Sequence, residues 1–205
     1  MRTPRLLTLA AALALATPLL AAADTSPGSG WSLTLGAWGG ASRYDVLGLK
    51  HGVESLDPDT LDGNLDTYGA SALLRLGVLD VGALYEGSFR EAADSFVLTP
   101  LVGIKWDVTD LVRVDLLGEL GGHRITNLGA DAESVWLPYV GFRPTLSLRL
   151  PLGPMRLVLS GAPFARWDLV KKEVVVPSSG GTATRSTYDV GGSTFGVVAG
   201  VGLEI

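Results

Sequence analysis

Cysteine is absent from the 205 residues, which excludes disulfides, a thiolate nucleophile and a lipid-anchored cysteine. Histidine is nearly absent: His51 and His123 alone leave little material for a metal site, and neither metal nor cofactor is expected. Basic residues are scarce, with 16 Lys+Arg against 21 Asp+Glu, so there is no electrostatic footprint for nucleic acid. Long hydrophobic runs are missing too. The one apolar run, Leu6 to Leu20, follows Arg2 and Arg5, contains Pro18 and ends at Ala21-Ala22-Ala23. A spanning helix needs about 20 apolar residues. This shorter run has the charged start, apolar middle and small-residue cleavage site of an export signal. Cleavage is expected after Ala23. Residues 24–205 then form one domain of 182 residues, with 14 basic and 21 acidic side chains.

Against these absences stand a hydrophobic content of 47 % and a mean hydropathy of +0.33. The apolar residues fall on every second position, the period of a strand. Eight such segments are predicted. They cover Trp31 to Gly40, Thr67 to Val78, Asp80 to Phe89, Phe96 to Asp107, Val112 to His123, Val135 to Leu150, Arg156 to Asp168, and a last strand ending at Ile205. In the fifth, Val112, Val114, Leu116 and Leu120 alternate with Arg113, Asp115, Glu119 and His123. Connectors alternate in length. Short turns fall at Gly77 to Asp80, Val108 to Asp110 and Pro151 to Pro154. Longer polar connectors span Ala41 to Asp66, Arg90 to Ser95, Arg124 to Ser134 and Leu169 to Arg185. Pro100, Pro138, Pro144 and Pro163 fall inside strand segments and predict bulges or breaks, because proline cannot donate to a ladder.

The fold class expected is all-β: a single closed antiparallel transmembrane β-barrel of about eight strands. Alternation also suits a soluble, ligand-holding barrel with a greasy interior. The polar face decides for the inverted arrangement. Arg75, Glu86, Lys105, Arg113, Asp115, Glu119 and Arg143 recur along it, spaced by glycine, serine and threonine. Such a face fits a narrow lumen in which charges pair, since buried charges are costly unless paired. Counting along the strands places Lys105 diagonal to Asp115, and Asp115 close to Arg143. The other face is apolar and bounded by aromatics: Trp31 and Trp106 at the short-turn end, and Tyr68, Phe89, Phe96, Trp136, Trp167 and Tyr188 at the loop end. These would form girdles in the two headgroup regions.

These features resemble the small outer-membrane β-barrels, such as the transmembrane domain of outer membrane protein A and its eight-stranded relatives. The likeness rests on the signal, the strand count, the alternating connectors and the last strand, Phe195-Gly-Val-Val-Ala-Gly-Val-Gly-Leu-Glu-Ile205. That strand looks like the carboxy-terminal signal read by the barrel-assembly machinery, although it ends in Ile205 where an aromatic residue is usual. The resemblance implies a bacterial outer-membrane location, with the longer loops facing outward and both termini periplasmic. It implies outer-membrane lipid and lipopolysaccharide as surroundings, and a surface partner it does not identify. A structural or surface-interaction role is expected first and a narrow channel for ions or small solutes second.

An enzyme is not expected. The lipid A deacylases place histidine and serine two residues apart on one strand, but here Ile125 stands at that spacing from His123. Ser42, Asp45, His51 and Ser55 in the first loop are ordinary polar-loop residues. The acidic stretch Asp57 to Asp66 misses the calcium-loop spacing and is expected to be solvated. Gly192, Gly196 and Gly200 repeat at a helix-dimer spacing, but within a strand they read as lumen-side glycines.

Overall fold

The computed structural model describes residues 30–51, 63–89, 94–126, 134–177 and 185–205. The expected signal and cleavage site, Ser55 and most of the acidic stretch lie outside them. Among the described residues nine strands follow one another: β1 (Trp31–His51), β2 (Gly63–Leu76), β3 (Leu79–Phe89), β4 (Asp94–Asp107), β5 (Val112–Thr126), β6 (Val135–Leu152), β7 (Met155–Asp168), β8 (Lys172–Pro177) and β9 (Arg185–Glu204). Neighbours pair antiparallel in the order β1-β2-β3-β4-β5-β6-β7-β9, and β9 pairs back onto β1. The result is a closed barrel of eight strands, the arrangement that leaves no unpaired edge facing lipid.

The ninth strand, β8, was expected to be loop. It extends the wall above the rim. β9 pairs with β7 from Ser193 to Glu204 and with β8 from Arg185 to Val190, while β1 follows it as far as His51. The change of neighbour happens at Gly191, whose φ of 136° is a conformation that L side chains rarely adopt. The ladder with β1 slips there, between Asp45 and Leu47. β1 and β2 also run further than their apolar alternation, because Ser42, Tyr44 and Leu65 continue the inward phase. On the opposite rim, β6 and β7 turn through Gly153-Pro154, with Gly153 at φ 63°, as a two-residue hairpin demands.

The proline expectation is corrected. All four lie in continuous strands, face outward and cause no register shift. Pairing between β4 and β5 stops at Leu98↔Gly122 and resumes in register at Leu101↔Glu119, around Pro100. Pairing between β6 and β7 stops at Phe142↔Ala165 and resumes at Leu146↔Gly161. That register sets Pro144 opposite Pro163, so the two missing N–H groups share one gap. Pro138 still accepts a hydrogen bond from Leu169 N at 2.8 Å.

The outer wall is apolar. Leu74, Val81, Leu98, Val102, Leu116, Leu120, Leu146, Val197 and Val201 are all exposed. Trp31, Tyr68, Trp106, Trp136 and Trp167 are exposed at the strand ends. Phe89 and Phe96 meet edge to face with centroids 5.6 Å apart. Ten residues separate Phe96 from Trp106 on β4, which on a tilted strand is roughly 25 Å along the axis, the height of a barrel's lipid-facing band. Tyr188 is the exception among the expected girdle aromatics. It is 1 % exposed, because it shares the inward phase of Val190 and Thr194.

Candidate functional site: the packed lumen

Strand β5 orders the interior from the short-turn end to the loop end, and its inward side chains mark successive storeys. Arg113 and Asp115 come first, then Leu117, Glu119, Gly121, His123 and Ile125.

The lowest storey is ionic and centres on Glu204, near the end of β9. Arg113 hydrogen-bonds Glu204 and reaches Asp107 at 2.9 Å. Arg149 meets Asp107 at 2.8 Å and donates to Thr109 O at 3.0 Å. Arg75 donates to Thr34 and stands 3.5 Å from both Asp80 and Asp115. Both oxygens of Asp80 and of Asp115 lack a hydrogen-bond donor. Beside them is a void of about 20 Å³ lined by Arg75, Asp115, Thr145 and Ser160, room for about one water.

Above it lies an apolar belt. Leu73, Leu84, Leu101 and Leu117 pack with Trp38, and Ala162, Phe164 and Val198 close the other side. Gly200 faces Trp38 and Gly196 faces Phe164: a Cβ at either would come within 2.7 Å of the ring. Two of the glycines read as lumen-side therefore make room for the Trp38 and Phe164 rings.

The third storey is a closed ring of charges. Arg143 meets Glu86 at 2.7 Å and Glu119 at 2.9 Å; Arg166 meets Glu86 at 2.5 Å and Glu119 at 2.6 Å. Each arginine bridges both carboxylates, and the four side chains come from β3, β5, β6 and β7. The Phe164 ring lies 4.7 Å from one guanidinium and 4.4 Å from the other, within cation–π range. Tyr139 donates to Glu119 at 3.3 Å.

Hydroxyl groups and histidine form the fourth storey. Ser42, Thr67 and Ser88 bond to one another. Tyr44 hydrogen-bonds Ser95, Ser95 Oγ lies 2.7 Å from His123 Nε2, and His123 Nδ1 lies 3.0 Å from Asp168 Oδ1. Gly192 N donates to Asp168 Oδ2 at 3.0 Å, so the glycine after the β9 irregularity anchors the carboxylate. The loop-side mouth is then filled by Tyr44, Leu65, Ile125, Val135, Leu137, Val174, Tyr188 and Val190. An open cleft of about 410 Å³ indents the rim beside Trp167, Asp168, Lys171 and Gly192.

Six of the seven expected lumen charges are buried here; Lys105 is partly exposed at the short-turn end and pairs with Asp107 at 3.7 Å. The expected pairings are corrected. Lys105 stands directly opposite Asp115 in register, but the nearest cation to Asp115 is Arg75. Thr145 faces Asp115, so Arg143 sits one inward position nearer the loops and goes to Glu119. Arg166, Asp80, Arg149 and the hub Glu204 were missed as network members, as was the Ser95–His123–Asp168 relay. A search for inward-phase charges on every strand would have found the first four. The relay has no local signal, since its members come from β4, β5 and β7. Among the described residues no group of His, Asp and Glu is placed to hold a metal ion.

No family model matches the chain, and no curated protein matches it. Solved structures do. The outer membrane protein OprG from Pseudomonas aeruginosa is similar over 88 % of this chain and 98 % of its own, with TM-score 0.53 at 9 % identity. The chain has the fold of the small outer-membrane β-barrels. Neisserial surface protein A is similar over 83 % of this chain and 96 % of its own (TM-score 0.49, 12 % identity). Ail, the attachment invasion locus protein of Yersinia pestis, was solved with the heparin analogue sucrose octasulfate. It is similar over 84 % and 99 % (TM-score 0.41, 10 % identity).

Proposed function

We propose that this barrel is an integral outer-membrane protein with a structural or surface-interaction role, and not a pore. The observation that supports it is the filled lumen. Two ionic storeys and an apolar belt cross the interior, and the void beside Asp115 has room for about one water. Eight strands leave an interior just wide enough for side chains. The outward apolar band and its bounding aromatics suit a bilayer. The short turns and both barrel ends, Trp31 and Glu204, share one rim, which we assign to the periplasm. The rim bearing β8 faces outward. There the exposed Arg43, Arg124, Lys171 and Lys172 are suited to the phosphates of lipopolysaccharide. Planar-bilayer recording of the refolded protein tests this reading. The expected result is insertion without unitary currents. Stable single-channel steps would replace it with the narrow channel.

A further inference from the structure

The fourth storey contains a relay that the scaffold reading does not use. Ser95 is 4 % exposed and His123 3 %. Asp168 offers only acceptors, so His123 Nδ1 carries the proton between them. In a neutral ring, Nε2 is then the acceptor, and Ser95 Oγ donates to it. Tyr44, reaching across from β1, donates into Ser95 Oγ. The direction of every bond is thereby set, from Tyr44 through Ser95 and His123 to a carboxylate that Gly192 N–H fixes from behind. Other lumen serines differ: Ser147 and Ser160 hydrogen-bond each other at 2.9 Å.

We infer that Ser95 is an activated nucleophile, with His123 as its general base, Asp168 as the residue that positions His123, and Tyr44 as a hydroxyl donor beside the reacting centre. A serine, a base within hydrogen-bond reach and a third group orienting the base define such a site by geometry, independent of fold. The ligand chemistry follows from the walls. In register, Ile125 stands opposite Ser95 and Leu137 opposite His123, and both belong to the apolar cluster that fills the loop-side mouth. The substrate class is therefore a carboxylic ester of an acyl chain, which enters from the loop side by displacing this cluster, since the cluster covers Ser95 and His123. Ser95 Oγ bonds to the carbonyl carbon and its proton passes to His123 Nε2. The Tyr44 hydroxyl stands beside Oγ, where oxyanion charge develops. The C–O bond to the alcohol breaks, the alcohol leaves with the His123 proton, and water then cleaves the acyl-serine by the same route. This goes beyond the structural role proposed above and does not depend on it.

The test uses the full mature chain, refolded in detergent and checked by circular dichroism, with an alkyl fluorophosphonate as probe. Attack forms the Oγ–P bond, breaks the P–F bond, releases fluoride and leaves the proton on His123. One adduct is expected, mapped to Ser95 by peptide mass spectrometry. It should be absent in Ser95→Ala and form about 100-fold more slowly or worse in His123→Ala. Asp168→Asn should slow it as well, and Ser160→Ala should label at the wild-type rate. A folded wild-type barrel that takes no adduct overturns the inference. So does an adduct that persists in Ser95→Ala, or a His123→Ala barrel labelled as fast as wild type.

Discussion

The lumen holds two ionic storeys built on different terms. In the upper one, two arginines and two glutamates close a ring in which the four ion-pair distances lie between 2.5 and 2.9 Å. In the lower one, the cations Arg75, Arg113 and Arg149 crowd towards Glu204 and Asp107. Asp80 and Asp115 lie 3.5 Å from their nearest cation, with no hydrogen-bond donor on either. The upper ring sits on the Phe164 face between the apolar belt and the hydroxyl storey, where buried charges must be matched. The lower storey opens towards the short-turn rim: Asp107 has a 44 % exposed side chain and Arg156 a 46 % exposed one. The same residue types therefore do different things a few residues apart. The ring seals the barrel, whereas the lower cluster leaves two buried carboxylates, Asp80 and Asp115, to share Arg75 beside a void with room for about one water.

That contrast breaks first if the ring can lose a carboxylate cheaply. Glu119→Gln leaves two buried guanidinium groups on Glu86 alone, and removing one partner of a buried pair typically costs about 3–5 kcal/mol. Urea unfolding in lipid vesicles should show a loss of that order. The lower storey should respond far less. Asp115→Asn removes a charge that accepts no hydrogen bond and lies beside another carboxylate. The attraction lost to Arg75 is offset by relief of desolvation and of repulsion from Asp80, so stability should stay within about 1 kcal/mol of wild type. Equal losses in the two variants would erase the distinction between the storeys.

The phase of each strand was legible in the sequence, and with it the charged inside and apolar outside. Period-two alternation reports the phase directly, and Asp115 between Val114 and Leu116 is enough to show it. Partnerships were less legible. They depend on register between strands, and a two-residue error in the β5–β6 pairing, which keeps the inward phase, set Arg143 beside Asp115 instead of Glu119. Arg166 escaped because Pro163 suggested a break in β7. The gap it shares with Pro144 keeps the strand intact. β8 was hidden because it pairs only with the upper part of β9, above the band where apolar alternation is required. Tyr188 was read by residue type, as a strand-end aromatic, when its phase pointed inward. The Ser95–His123–Asp168 relay is the furthest from sequence. Each residue is ordinary on its own strand, and only closure of the barrel brings the three together.

The inside–outside assignment underlies all of this, and the five tryptophans can test it. Trp31, Trp106, Trp136 and Trp167 are exposed on the outer wall. Trp38 points into the lumen, donates to Ser71 Oγ at 2.7 Å and lies under Arg143. Five proteins, each retaining one tryptophan with the others changed to phenylalanine, are refolded into vesicles containing lipids brominated near the headgroup or deep in the chain. The four outer tryptophans should be quenched, most strongly by the shallow bromines, and Trp38 should keep its emission with either lipid. Quenching of Trp38 to the level of Trp136, or outer tryptophans indifferent to both lipids, would contradict the account.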